Sequence, residues 1–275
     1  MSALNPDSLI QLPRTFDNVM GVAVKESRLA IACKTEVIEL ANSPGLAQGY
    51  PSNPNTYDAL YVPRATYYTG QLALHDMEFT GKGLLAVNTL FSCLSIIDNE
   101  YSFKPVWKPS YISELTPDDN CHLNGMAIVD DEPVYASAMG KTNTRQGWRE
   151  NKMNSGVLIL VPSNEIILEN LPMPHSPRVY DNKLYVLLSA TGELVEVDVE
   201  KGSYKTITKL GSYARGMDRV GDYLFIGGIK VAVYKFCFRG FAYCKNLLCR
   251  NRNCLSSVRK YCGAYKIRNK RRRNL

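Results

Sequence analysis

The alternation of apolar and polar positions is clearest between residues 183 and 210, where it predicts three short strands. Residues 183–189 (KLYVLLS) are rich in aliphatic, aromatic and β-branched side chains, which favour strands. Residues 193–199 (ELVEVDV) alternate with the period of a half-buried strand, and residues 203–210 (SYKTITKL) extend the pattern. Gly-containing turns separate the three segments. The stretch is therefore predicted to form an antiparallel sheet.

A polar cluster directly precedes these strands. Residues 173–178 (MPHSPR) combine one histidine, two prolines and one arginine. Proline fixes its own φ and restricts the residue before it, so Pro174 and Pro177 are expected to stiffen a loop that leads into the sheet.

The same order of polar segment, turn and apolar strand recurs along the chain. Its five segments begin at Met20, His75, Asn124, His175 and Arg215, which are 55, 49, 51 and 40 positions apart. Four short strands at this spacing, with little helical periodicity, predict an all-β protein, a β-propeller of about five to six four-stranded blades. A β-sandwich or a β-solenoid with accidental similarity is the alternative.

The propeller interpretation brings the histidines together. The first strand of each propeller blade lines the central channel, so the polar segments are expected at one channel mouth. The protein has three histidines, His75, His122 and His175. Neutral imidazole suits zinc and other transition metals, so these three are the candidate ligands of a divalent metal cofactor. The simpler interpretation is that each turn histidine hydrogen-bonds the backbone.

The remaining candidates surround these histidines in the predicted arrangement. The proposed catalytic residues are His75, His122, His175 and Glu78, and the proposed substrate-binding residues are Asn88, Asn124, Arg149, Arg178 and Arg215. Arginine is expected to hold an anionic group. Residues 140–152 (GKTNTRQGWRENK) are predicted to form a lid or a solvated loop. Cys121, beside His122, is a weaker candidate nucleophile. HExxH, GxSxG, P-loop and GxGxxG motifs do not occur, so no motif fixes a reaction.

The charge divides the chain into two parts. Residues 231–275 hold thirteen Lys or Arg, no Asp or Glu and five of the eight cysteines. The first 230 residues carry 20 basic and 26 acidic side chains. The prediction is a propeller domain over 1–230 and a basic, cysteine-rich tail over 231–275. A frameshifted or disordered tail would leave the last blade incomplete. A genuine tail is instead expected to bind nucleic acid through its basic side chains.

The sequence contains neither a secretory signal pattern nor an apolar run of the roughly 20 residues that a membrane helix needs. A soluble, cytoplasmic protein without a membrane partner is therefore expected.

Several motifs resemble a known family. HLNG at 122–125, GWR at 147–149 and PHSPR at 174–178 are unusual, and the similarity extends from about residue 12 to residue 230. The chain resembles a bacterial family of conserved hypothetical proteins with a domain of unknown function. The resemblance implies a propeller-like domain and no established catalytic residues.

Two classes of function remain open at this point. The first is a small-molecule enzyme at the channel mouth, a metal-assisted hydrolase or a lactonase-like protein. The second is a non-enzymatic scaffold that presents a propeller face to a protein partner. Fold does not choose between them.

Overall fold

Five antiparallel sheets follow one another along the chain in the computed structural model, which describes residues 15–52, 54–229 and 262–266. The first sheet comprises β1 (Val22–Lys25), β2 (Arg28–Ala32), β3 (Glu36–Asn42) and β4 (Tyr61–Tyr68), with helix α1 (Pro44–Gln48) between β3 and β4. The second comprises β5 (Leu74–Thr80), β6 (Gly83–Asn88), β7 (Cys93–Ile97) and β8 (Lys104–Trp107).

The third and fourth sheets have the same up-and-down order. The third comprises β9 (Leu123–Val129), β10 (Glu132–Ala138), β11 (Gly156–Leu160) and β12 (Glu165–Leu171), with a short 3₁₀ helix (Gly147–Arg149) between β10 and β11. The fourth comprises β13 (Pro174–Tyr180), β14 (Lys183–Leu188), β15 (Glu193–Asp198) and β16 (Ser203–Lys209). The fifth comprises β17 (Tyr213–Val220), β18 (Tyr223–Ile229) and β19 (Cys262–Lys266).

Tight turns fix the inner hairpins. Asp130 and Asp131 link β9 to β10 with φ values of 50° and 65°, and Asp181 and Asn182 link β13 to β14 with φ values of 51° and 58°. Two-residue turns with both φ values positive match the right-handed twist of the flanking strands, and Asp and Asn tolerate this conformation well. The turn chemistry therefore sets the registers Val129↔Glu132 and Tyr180↔Lys183.

The cores lie between consecutive sheets. The cluster between the second and third sheets includes Leu94 and Leu123, and the cluster between the fourth and fifth includes Leu187 and Leu224. All four side chains are completely buried, which contributes about 2 kcal/mol each. Because every sheet contributes apolar side chains to the next, the sheets pack face to face in chain order.

The first strand of each sheet faces a common axis. β1 lies beside β5, β5 beside β9, β9 beside β13 and β13 beside β17. All five of these inner strands line one cavity of about 450 Å³. Four-stranded antiparallel sheets arranged in sequence around a central cavity are the architecture of a β-propeller, as the strand spacing predicts.

The polar cluster at 173–178 is not an entry loop, as the sequence suggested, because Pro174–Tyr180 is itself the inner strand β13. Prolines are tolerated here because β13 is at the edge of its sheet and Pro177 falls within a shift of register between His175 and Arg178.

Candidate functional site

The inner strands share an irregularity near their beginnings. The pairing register shifts between Leu74 and Met77 in β5, and between Ala214 and Met217 in β17. β13 shifts after His175, and β9 shifts where it pairs with Ser137 and Ala138. A bulge of this kind re-aims the side chain that it contains. His75, Asn124 and Arg215 lie within these shifts, whereas His175 pairs with Leu187 and directly precedes the shift in β13.

His75 and His175 are held in the same way. Nδ1 of His75 lies 2.9 Å from the Ala73 carbonyl oxygen, and Nδ1 of His175 lies 3.0 Å from the Met173 carbonyl oxygen. Ala73 and Met173 have φ values of 53° and 57°, in the left-handed region, and this turn directs each carbonyl towards the imidazole two residues later. A strained residue before the strand thus positions each ring.

A hydroxyl completes both arrangements. Thr89 Oγ1 lies 2.7 Å from His75 Nδ1 and donates to the Leu123 carbonyl oxygen over 2.5 Å. Ser189 Oγ lies 2.8 Å from His175 Nδ1 and donates to the Ala214 carbonyl oxygen. Each hydroxyl donates its proton to a carbonyl oxygen of the next sheet, so it can only accept a hydrogen bond from the imidazole. Both partners of Nδ1 are therefore acceptors, and Nδ1 is the protonated ring nitrogen. Nε2 of each ring is therefore an acceptor.

Both imidazoles are neutral over the physiological pH range. Burial lowers the pKa of His75 to about 3, and repulsion from His122 and Arg215 adds to the shift. Burial also lowers the pKa of His175 far below its ordinary value, and Arg215 again contributes.

His122 lies in a different environment, just before β9. Its Nδ1 is 3.0 Å from each carboxylate oxygen of Asp119, and Nε1 of Trp148 donates to Asp119 Oδ2 over 3.1 Å. The His122 ring lies between two others, with its centroid 4.2 Å from that of Trp148 and 4.8 Å from that of His75. Asp119 therefore orients the His122 ring, and Nε2 is again left as the acceptor.

We name the set His75, His122, Asn124, His175 and Arg215 the polar ring. Asn124 accepts a 2.7 Å hydrogen bond from Ser137 Oγ on its Oδ1 atom, whereas its buried Nδ2 has no hydrogen-bond partner. Nε2 of His175 is also buried without a partner. Both side chains are 4% exposed. The polar ring thus contains one unsatisfied donor and one unsatisfied acceptor.

The central cavity has a different character from the polar ring. Arg178 binds the Asp76 carboxylate through two hydrogen bonds of 2.8 and 2.9 Å and also donates to the Met126 carbonyl oxygen. Burial alone would lower the pKa of Arg178, but the Asp76 carboxylate raises it above its ordinary value. Asp76 and Arg178 both line the 450 Å³ cavity, together with Glu78 and Asp218. The lining of this cavity is rich in carboxylates and includes no residue of the polar ring.

Five of the nine predicted site residues, the members of the polar ring, lie near or just before the beginning of an inner strand. Glu78 and Arg178 line the central cavity instead. Asn88 is completely buried and accepts from the Phe91 backbone nitrogen, so it stabilises a turn. Arg149 is exposed and lies over the Trp148 ring at 4.4 Å. Cys121 is completely buried, and burial raises the pKa of its thiol to about 11, which disfavours a nucleophilic thiolate.

A metal-binding geometry is not formed by these side chains. Within residues 15–52, 54–229 and 262–266, His, Cys, Asp and Glu side chains do not converge in any group of three or more that could hold a metal ion. The three imidazoles are close together, but their arrangement does not fit a metal. No chemical step is therefore assigned to one.

Sequence reasoning missed the partners of the histidines. Thr89 and Ser189 each follow their histidine by fourteen residues, and this common spacing was a usable signal. Asp119 precedes His122 by three residues in the sequence DNCH, a spacing that places a carboxylate within reach of the imidazole. Trp148 lies in the polar segment 140–152, where no local pattern indicates its contact with His122.

The five successive antiparallel sheets define a β-propeller-like protein whose inner strands carry the polar ring. The chain belongs to the DUF4915 family, a domain of unknown function, whose model matches residues 1–266. The match continues beyond residue 230, where the sequence resemblance was expected to end. No curated protein matches the chain.

The solved structures that are similar to the chain include three that illustrate the likeness in fold. A nidogen/laminin complex has 9% identity and a TM-score of 0.49, over 76% of this chain and 72% of that chain. The computationally designed Ika8 protein has 5% identity and a TM-score of 0.40, over 76% and 55%. Apo AztD from Citrobacter koseri has 13% identity and a TM-score of 0.34, over 71% and 48%.

No helix in the described part of the chain is long and apolar enough to cross a membrane. Most of the basic tail lies outside the described residues, so the domain boundary at residue 230 and the nucleic-acid hypothesis stay predictions. The exception is Cys262–Lys266, the third strand of the fifth sheet, which pairs with β18.

Proposed function

We propose that the polar ring binds a small polar molecule and that the protein hydrolyses an ester or lactone bond in it. The observation that carries this proposal is the shared arrangement of the three imidazoles. Each Nδ1 faces an acceptor, which leaves Nε2 of each ring as an acceptor, and the centroids of the His75 and His122 rings are 4.8 Å apart. Conformational strain and buried polar groups of this kind are typical of functional sites.

His122 is the proposed general base. Its side chain is 13% exposed, which leaves part of the ring accessible, and the Asp119 carboxylate fixes the tautomer that a base requires. Asp119 and His122 have φ values of 51° each, in the left-handed region, so the local backbone is shaped to hold this pair. Trp148 covers one face of the imidazole and excludes water there.

The proposed reaction uses one water molecule. His122 Nε2 takes a proton from water while the water oxygen bonds to the carbonyl carbon, and Arg215 stabilises the negative charge that develops on the carbonyl oxygen. The carbon–oxygen bond to the leaving group then breaks, and the leaving oxygen takes the proton from His122. The products are a carboxylic acid and an alcohol, or one hydroxy acid from a lactone.

Hydrolysis of small esters and lactones by the full-length protein tests this proposal, with acid release followed in a pH-stat. Asp119→Asn should lower the rate by a factor of about 10²–10⁴, because the imidazole loses its orienting carboxylate. Asp118→Asn is the matched control, since Asp118 is more exposed and lies 3.9 Å from Arg145. Its rate should equal that of the wild type.

The proposal fails if the wild-type rate equals that of buffer for every ester and lactone, with and without added Zn²⁺. A rate that depends entirely on Zn²⁺ would restore the metal-assisted hydrolase. A stoichiometric protein partner, retained equally by the wild type and Asp119→Asn in the absence of any hydrolysis, would favour the scaffold alternative.

A further inference from the structure

We propose that the central cavity binds a polyamine, a flexible chain of methylene groups that carries positively charged amines at intervals. The cavity has a volume of about 450 Å³, within the range of roughly 300–1,000 Å³ that is usual for small-molecule sites. Its lining contains no residue of the polar ring, so this site is separate from the one to which hydrolysis is assigned.

The cavity is elongated along the inner strands. Deep in the cavity, the Asp76 carboxylate accepts a hydrogen bond of 3.2 Å from the Met126 backbone nitrogen. At the surface, the lining includes Asp130, in the exposed turn that follows β9. Met126 and Asp130 are four positions apart in an extended chain, which corresponds to about 13 Å. An extended ligand therefore fits this lining better than a compact one.

The lining is strongly acidic. It holds five carboxylates and two cationic side chains, a net charge of −3. The carboxylates are those of Asp76, Glu78, Asp130, Asp131 and Asp218, and the cations are Lys25 and Arg178. Arg178 already pairs with Asp76 at 2.8 Å, and Lys25 lies 3.6 Å from Asp131. The cavity therefore attracts cations, although the whole chain has a formal net charge of +7.

The carboxylates are spread along the cavity and do not meet at one point. In the part of the chain that the structure describes, no three His, Cys, Asp or Glu side chains converge to hold a metal ion. Apolar side chains, among them Met77, Met126 and Ile128, line the cavity together with the charged ones. Methylene groups match these apolar surfaces and separated amines match separated carboxylates, so an organic polycation fits better than a single ion.

Tyr180 provides a hydrogen-bonding group in the same cavity. It belongs to the lining, and its buried hydroxyl has no hydrogen-bond partner among the described residues. Its ring is held in place by Arg219, whose guanidinium lies 4.9 Å from the ring centroid and pairs with Asp181 over 2.6 Å. A buried hydroxyl without a partner is unfavourable, and an amine of the ligand would donate to its oxygen.

Three compounds with the same eight-carbon chain test the ligand class. 1,8-Diaminooctane has two amines, octylamine has one and octane-1,8-diol has none. Isothermal titration calorimetry of the full-length protein measures their dissociation constants, with spermidine as the polyamine. Spermidine and the diamine should each bind one molecule per chain, and the diamine about tenfold more tightly than octylamine, because its second charge adds attraction. The diol should not bind.

Two variants test the residues. Asp218→Asn should weaken spermidine binding about threefold to fivefold, because one carboxylate of the lining is lost. Tyr180→Phe should weaken it about fivefold and leave the unfolding temperature unchanged, since the hydroxyl has no partner in the free protein. Glu165→Gln is the matched control for charge, because Glu165 is exposed at the start of β12, and it should keep the wild-type affinity. Asp130→Asn replaces Asp218→Asn if that variant does not fold.

An absence of spermidine binding by the folded wild type would overturn the polyamine site. Equal affinity for octylamine and the diamine would overturn it as well, because the charges would then not need to be spaced. Equal losses in Asp218→Asn and Glu165→Gln would show attraction by overall charge and no defined site. Displacement of spermidine by an equal concentration of Ca²⁺ would assign the carboxylates to a metal ion instead.

Discussion

The indole of Trp148 lies against the imidazole of His122, with ring centroids 4.2 Å apart, while its Nε1 atom donates to the carboxylate that holds the same imidazole. The loop between β10 and β11 is thus anchored over the polar ring by a side chain that is 5% exposed. Trp148 also packs with Met139 and Met173 in a small apolar cluster. Stacking, hydrogen bonding and burial all fix the loop at this point.

Replacement of Trp148 separates these contributions. Trp148→Ala removes all three and should destabilise the protein by about 3–5 kcal/mol. Trp148→Phe keeps an aromatic ring but leaves Asp119 without one donor, and should cost about 1–2 kcal/mol. Urea unfolding followed by circular dichroism measures both values. Equal losses in the two variants would show that the stacking contributes nothing beyond the hydrogen bond.

Acidification should weaken the fold through the buried imidazoles. The pKa of His75 is lowered to about 3 in the folded protein, against about 6.5 in an unfolded chain. Below pH 6.5 the unfolded state therefore binds a proton that the folded state does not bind. The contribution of His75 to the free energy of unfolding is fully present above that pH and is lost as the pH falls towards 3. The slope is about 1.4 kcal/mol per pH unit for one such group.

Urea unfolding at pH 7, 6 and 5 measures this slope, and His175 adds to it because its pKa is also lowered. His75→Asn should reduce the slope by nearly the contribution of one group, about 1.4 kcal/mol per pH unit. An unchanged slope in His75→Asn would mean that the imidazole is protonated in the folded protein, and the tautomer argument would fail with it.

The Asp76–Arg178 pair provides a test of the channel centre. Arg178→Met leaves a buried carboxylate without its two hydrogen bonds and should cost about 3–5 kcal/mol. Asp76→Leu should cost a similar amount. The double variant should be more stable than either single one, because no buried charge is left alone. Additive losses in the double-mutant cycle would show that the two side chains do not interact.

Gly125 tests the contact between the third and fourth sheets. A Cβ atom there would lie 2.7 Å from Pro177 Cδ and 2.9 Å from the Ser176 backbone nitrogen, too close for either atom. Gly125→Ala should therefore cost about 1–3 kcal/mol. Gly45→Ala is the control, since a Cβ atom at Gly45 meets nothing within 4 Å. Thermal unfolding compares the two, and equal midpoints would contradict the close approach.

Much of the fold could be predicted from the sequence because its signals are local. Alternation in residues 193–199 predicts β15, and the spacing of polar segments predicts successive sheets around a channel. The segment at 173–178 was harder, because two prolines normally argue against a strand. It forms β13 because this strand lies at the edge of its sheet and contains a bulge. Both features depend on how the whole sheet is assembled and are not visible in the local sequence.

The candidate site could be predicted only in part. His75 and His175 hold comparable positions near the beginnings of their strands, and the alignment of polar segments predicted this. Glu78 and Arg178 were predicted at the same end as the histidines, but they lie three residues further along their strands and line the central cavity. Asp119 and Trp148 act through contacts between residues 29 positions apart, which no local pattern reveals.

The Asp76–Arg178 pair has a consequence for the way in which the sheets are held together. Its two hydrogen bonds and the bond to Met126 join β5, β9 and β13, which belong to three successive sheets. A change at either side chain therefore affects three blades at once.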